Sequence, residues 1–184
     1  MLDAVRDAAS AAAPADRPET YVPISSNRLQ AAKKAFTTRR VDFSGACRLQ
    51  TALAQPKTGD LALARVVRLG QHRRLELVCG RRAALYIGDE IIIALGSRYA
   101  SDQFEGLTPT ALGLCQLVAA GGVAASVANS HARMKSATDI VVIGLICDAT
   151  GKALNLSDFA IRRRPVPVRR PPVTVVLGTS MNAG

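Results

Sequence analysis

The chain has 184 residues and a formal net charge of +10, from 24 Lys and Arg against 14 Asp and Glu. Apolar residues make up 48%, too many for a chain disordered throughout. The length suits one domain with appendages, large enough to bury roughly 70% of its unfolded surface without disulfide or metal staples. No apolar run of about 18 residues lacks turn signals, which argues against a membrane-spanning helix and for no membrane partner.

Residues 1–24 read as a mobile tail, Ala-rich at the start and broken by Pro14 and Pro18. Residues 25–58 read as a basic helix and a connection. Ser25 or Ser26 caps a helix over 25–38, with Leu29, Ala32, Ala35 and Phe36 on its apolar face. Lys33, Lys34, Arg39 and Arg40 suit its C-terminal end.

From Gly59 the texture changes to short apolar runs punctuated by glycine. Leu61–Val67, Leu75–Val78, Ala83–Ile87 and Glu90–Leu95 are separated by turn signals at Gly70–Arg73, Cys79–Arg82 and Gly88–Asp89. Leu117–Ala120 and Val123–Val127 flank Gly121–Gly122, a bulge in one strand or a turn between two. Ile140–Cys147 is strongly apolar, and Asp148–Lys152 reads as a hairpin loop before Ala153–Leu156. The pattern predicts a mainly β chain, with a small antiparallel β-barrel of about six strands over residues 59–161.

Residues 162–172 form an Arg/Pro-rich linker of extended type. Val173–Leu177 then reads as a strand buried on both faces, as in a parallel sheet. It runs into Gly178-Thr179-Ser180-Met181-Asn182-Ala183-Gly184. A buried strand followed by a glycine-bracketed loop is the start of a phosphate-binding loop. With five residues between Gly178 and Gly184, this segment resembles the loop of the dethiobiotin synthetase-like P-loop NTPases. Gly178, Thr179 and Gly184 match that form, and Ser180 and Asn182 lie within it. The resemblance implies an α/β P-loop stub at residues 173–184 and ATP with magnesium as ligands of a longer form. This chain has no Lys or Ser/Thr after Gly184, so no cofactor and no ATP hydrolysis are expected of it. It reads as truncated.

Elsewhere the candidates are sparse. His131, Arg133 and Lys135 lie in a polar stretch between apolar runs and are candidates for an anion-binding loop. Arg98, Tyr99 and Phe104 are the only local mixture of basic and aromatic residues in this reading, a thin platform for stacking bases. Cys47, Cys79, Cys115 and Cys147 are spaced 32, 36 and 32 residues apart, without the close pairs of a zinc site. Reduced, structural thiols and a cytoplasmic location are the expectation. No catalytic constellation is visible, and none is expected.

The charge divides unevenly. Residues 1–58 carry a net +4, residues 59–161 a net +1 and residues 162–184 a net +5. The expected function is a non-catalytic accessory domain, in assembly or regulation, of a P-loop ATP-binding protein. Its partners would be the missing NTPase domain or further copies of the chain. The alternative is a nucleic-acid-binding β-barrel that holds nucleic acid weakly through its basic flanks.

Overall fold

The structure is a computed structural model that describes residues 20–162 and 172–175. The described chain runs through β1 (Tyr21–Pro23), helix α1 (Ser26–Ala31), β2 (Lys33–Lys34), a 3-10 turn (Phe36–Thr38) and β3 (Arg48–Gln50). Next come β4 (Leu61–Arg68), β5 (Arg74–Glu76), β6 (Arg82–Ala84) and β7 (Glu90–Leu95). The last strands are β8 (Arg98–Tyr99), β9 (Phe104–Leu107), β10 (Leu114–Ala119), β11 (Val123–Ser130) and β12 (Thr138–Cys147). A second 3-10 turn follows at Leu156–Phe159.

Ten strands form one mixed sheet in the order β1-β3-β12-β4-β7-β11-β9-β8. Off this path, β2 pairs with β7, and β10 pairs with both β11 and β12, which folds the sheet back over its own core. Strands β5 and β6 form a separate two-stranded ribbon.

The apolar runs are continuous because the central strands are buried on both faces. Along β4, Ala62, Ala64 and Val66 face the main core, together with Ile91, Ile93 and Leu95 of β7. Leu61, Leu63, Ile92 and Ala94 face a second core. That second layer is closed by Ile24, by Leu29 of α1, and by Ala46 and Leu49. A strand with only one buried face would alternate apolar with polar residues instead.

The expected antiparallel barrel of about six strands is therefore corrected to a ten-stranded mixed sheet. Two parallel pairings, β2 with β7 and β11 with β7, rule out a simple meander. The ribbon β5–β6 is bypassed because β4 pairs directly with β7, from Leu61↔Ala94 to Arg65↔Glu90. The helix over 25–38 shortens to Ser26–Ala31. Ser25 does cap it, accepting from the Arg28 N–H at 3.2 Å. Beyond it, Lys33 and Lys34 extend along Ile91 and Ile92, and the Ala35 N–H donates to the Ile92 carbonyl at 3.0 Å. Pairing with β7 thus replaces two helical turns.

The α/β P-loop stub is corrected as well. Residues 172–175 pair with no strand, and Val173 and Val175 are 75% and 68% exposed, where a P-loop strand has sheet neighbours and two buried faces. Among the described residues the one α-helix is the six-residue α1, so the P-loop, ATP-binding and nucleotide-binding reading finds no helix to place behind a phosphate. Gly178, Thr179, Ser180, Asn182 and Gly184 lie outside the described residues, as does the expected tail as far as residue 19. Among the described residues no helix is long and apolar enough to cross a membrane.

One ionic cluster ties α1 to the sheet. Arg28 donates through Nε and Nη2 to both carboxylate oxygens of Glu90, at 2.9 and 2.7 Å, and Arg65 adds a contact at 2.9 Å. The Arg28 hydrogen bonds, helped by Arg65, pull the Glu90 carboxyl down to about 2 against its desolvation. A depressed carboxylate stabilises the fold above its unfolded pKa, and that contribution is lost as pH falls through the folded value. Acid denaturation curves between about pH 5 and pH 2 should therefore be flatter for Glu90→Gln than for the parent chain. Equal slopes would show that this pair does not stabilise the fold.

The turn between β10 and β11 has a tighter constraint. Gly122 has φ +94°, and a Cβ there would lie 2.0 Å from the Ala35 Cβ. Gly122→Ala should lower unfolding free energy by roughly 2–4 kcal/mol in denaturant titration, from strain and overpacking together.

Candidate anion-binding surface

The bypassed ribbon is built by a short alternation. Leu75 and Leu85 point into the main core and are buried. Leu77 packs against the same core, while Arg74, Arg82 and Ala84 are exposed. In register, Arg74 faces Ala84, Leu75 faces Ala83 and Glu76 faces Arg82. The tip closes through the Leu77 N–H to the Arg81 carbonyl and the Gly80 N–H to the Leu77 carbonyl, both at 2.8 Å.

Three neighbours fix the ribbon on the sheet. Its tip side bridges Leu77 to Ala35, ahead of the 3-10 turn. The Glu76 N–H donates to the Ala120 carbonyl at 2.8 Å. At its base the Gln71 N–H donates to the Ser136 carbonyl at 2.8 Å. The approach at the base is so close that a Cβ on Gly70 would lie 2.1 Å from that same carbonyl oxygen. Arg68 clamps the adjoining segment, donating to Asp139 at 2.6 Å and to the Ser136 hydroxyl at 2.7 Å.

On this rigid ribbon Arg73, Arg74, Arg81 and Arg82 are all exposed. None forms an ion pair with a described residue. The sole acid between residues 71 and 86 is Glu76, which stands across from Arg82 without closing a salt bridge. Elsewhere four carboxylates are matched: Glu90 with Arg28 and Arg65, Asp89 with Lys33, Asp139 with Arg68, Asp158 with Lys152. Arg39 and Arg40 are also exposed, after the 3-10 turn that the Thr37 N–H holds to the Gly121 carbonyl at 3.0 Å. The Arg39 guanidinium lies 4.2 Å from the Phe36 ring centroid.

A cavity of about 270 Å³ opens at the ribbon's base, lined by Gln71, His72, Arg73, Arg74, Arg82 and Ala120. The His72 ring meets Phe104 edge-on at 5.9 Å, and its Nε2 is enclosed with no hydrogen-bond partner. Burial pushes its pKa down; the Val118 carbonyl opposes this and the Arg98 charge adds to it. The wall is thus a half-buried imidazole, its charged form disfavoured, under a rim of exposed arginines.

The candidates from sequence fall differently. His131, Arg133 and Lys135 are exposed in the turn after β11. His131 Nδ1 accepts from the Arg133 N–H at 3.2 Å, and His131 lines a separate cavity of about 170 Å³ with Tyr99 and Gln103. They form a local turn that abuts the ribbon's base through Ser136. Arg98, Tyr99 and Phe104 do not make a stacking platform. Phe104 is buried, and Arg98 is spent on the Val118 carbonyl and on Gln103. A cavity of about 470 Å³ near the Asp148–Lys152 loop is polar, and several of its groups bond to one another. Asp60 accepts from the Lys57 N–H at 2.8 Å and from Asn155 at 2.9 Å, and Lys152 pairs with Asp158. Among the described residues no three of His, Cys, Asp and Glu could hold a metal ion.

Sequence reasoning passed over the ribbon arginines. The signal was available in Arg73-Arg74 and Arg81-Arg82, two basic pairs bracketing a turn. The near-neutral sum over residues 59–161 concealed them.

No protein-family model, no curated protein and no solved structure matches this chain.

The ribbon's position has a direct chemical signature. Cys79 at its tip is exposed, whereas Cys115 and Cys147 are buried. Burial, with Asp139 nearby, pushes the Cys115 thiol up to about 12, and burial raises Cys147 too. A thiol reagent at neutral pH should modify Cys79 rapidly in the native protein and reach Cys115 and Cys147 only after unfolding. Mass mapping of the labelled peptides checks this.

Proposed function

We propose that this chain is a non-catalytic nucleic-acid-binding module, cytoplasmic, whose contact surface is the β5–β6 ribbon. The observation that carries the reading is the set of four exposed ribbon arginines without a carboxylate partner, on a support pinned at base, middle and tip. An arginine already paired to a carboxylate gains little from a phosphate. An unpaired one contributes its full charge and releases condensed counterions from the nucleic acid. The accessory-domain expectation draws on residues 173–184, of which 176–184 lie outside the described residues, whereas this reading draws on described side chains.

Nucleic-acid affinity should be strong at low salt and fall linearly with the logarithm of salt concentration. Replacing Arg73, Arg74, Arg81 and Arg82 together by Gln should weaken binding and reduce the magnitude of the slope by about one for each phosphate contact removed. Replacing Lys57 and Lys152, beside the other cavity, should leave the slope unchanged. No binding by the parent chain at low salt overturns the proposal, and so does an unaltered slope in the Gln variant.

A further inference from the structure

At the base of the ribbon arginines stands an aromatic ring that is largely exposed. Tyr86 is 66% exposed and Ile87 69%, immediately after buried Leu85. The Leu85 N–H donates to the Arg73 carbonyl at 2.9 Å, which sets Tyr86 at the base of the ribbon. Its backbone is held: the Tyr86 N–H donates to Asp89 Oδ2 at 2.8 Å, and the Asp89 N–H returns to the Tyr86 carbonyl at 3.1 Å. The following Gly88 N–H bonds to the Val66 carbonyl at 2.8 Å, tying the turn to β4. The Lys33 ammonium lies 5.3 Å from the ring centroid, fixed by Asp89 and by the Ala84 carbonyl. An ammonium over the ring helps to hold it, and two thirds of the residue still faces water.

Resting on the nucleic-acid reading above, we infer that the preferred ligand is single-stranded, with an unpaired base stacked on Tyr86 while its backbone follows the ribbon arginines. Phosphates alone favour a duplex, which presents more of them per unit length, so a single-strand preference needs a contact to the bases. An exposed ring does distinguish it. The bases of a duplex are stacked on one another and offer no free face, whereas an unpaired base offers one. Ile87 extends the apolar surface beside that ring. This arrangement also selects against a purely acidic protein partner, which would use the arginines and leave Tyr86 idle.

The test is fluorescence anisotropy with the full chain at low salt, using a labelled oligothymidylate and a labelled duplex of equal length. The single strand should bind more tightly. Tyr86→Ala should weaken single-strand binding about 5- to 100-fold and leave duplex binding unchanged. Tyr86→Phe, which keeps the stacking face, should retain the preference. The Arg73→Gln/Arg82→Gln variant should weaken both ligands. Equal binding of the two ligands, with Tyr86→Ala silent, overturns the single-strand inference and leaves the binding module standing. Binding of neither ligand overturns the module itself. Melting curves of each variant separate loss of binding from loss of fold.

Discussion

Two-sided burial of β4 and β7 is the constraint on which the rest of this structure depends. Their pairing sets Ala62, Ala64, Ile91 and Ile93 in one core and Leu61, Leu63 and Ile92 in another. A one-residue slip would exchange the two sets. The larger side chains of β4 would then enter the main core, and its alanines would leave gaps in the second. Register is therefore strongly specified, and every later element is placed by it.

The bypass of β5–β6 follows from the same pairing. With β4 bonded to β7, residues 69–89 cannot supply a strand between them. They fold out as a ribbon that buries Leu75 and Leu85, packs Leu69 and Leu77 against the core and exposes its arginines. Arginines are tolerated there because the ribbon is not a covered central strand. Glycines at its two supports, Gly70 and Gly122, permit backbone approaches that no other residue would allow. The charge surplus and the topology thus have one cause.

Much of the strand pattern was legible from sequence because burial and turn chemistry are local. Leu61–Val67, Glu90–Leu95 and the Asp148–Lys152 loop could be read from apolar runs and turn residues. In that loop the Asp148 carboxylate accepts from the Thr150 and Lys152 N–H groups at 2.8 and 3.0 Å. Pairing partners were not legible, because no local signal states that Lys33 and Lys34 lie parallel to Ile91 and Ile92. The short strands Arg98–Tyr99 and Phe104–Leu107 lacked apolar alternation strong enough to declare themselves. The site was hidden by averaging: residues 59–161 sum to almost zero charge, yet folding neutralises Arg65 and Arg68 on carboxylates and leaves the ribbon arginines unmatched. Tyr86 was read as part of a strand, and only its place at the ribbon base shows it beside those cations.

The central claim is that the ribbon is the face this protein turns to its partner. The most direct measurement is amide hydrogen exchange, with and without a saturating oligonucleotide at low salt. Added protection should centre on residues 71–86 and extend to Arg39 and Arg40. Protection confined instead to the cavity between Gln50 and Asn155, with the ribbon unchanged, would contradict the account.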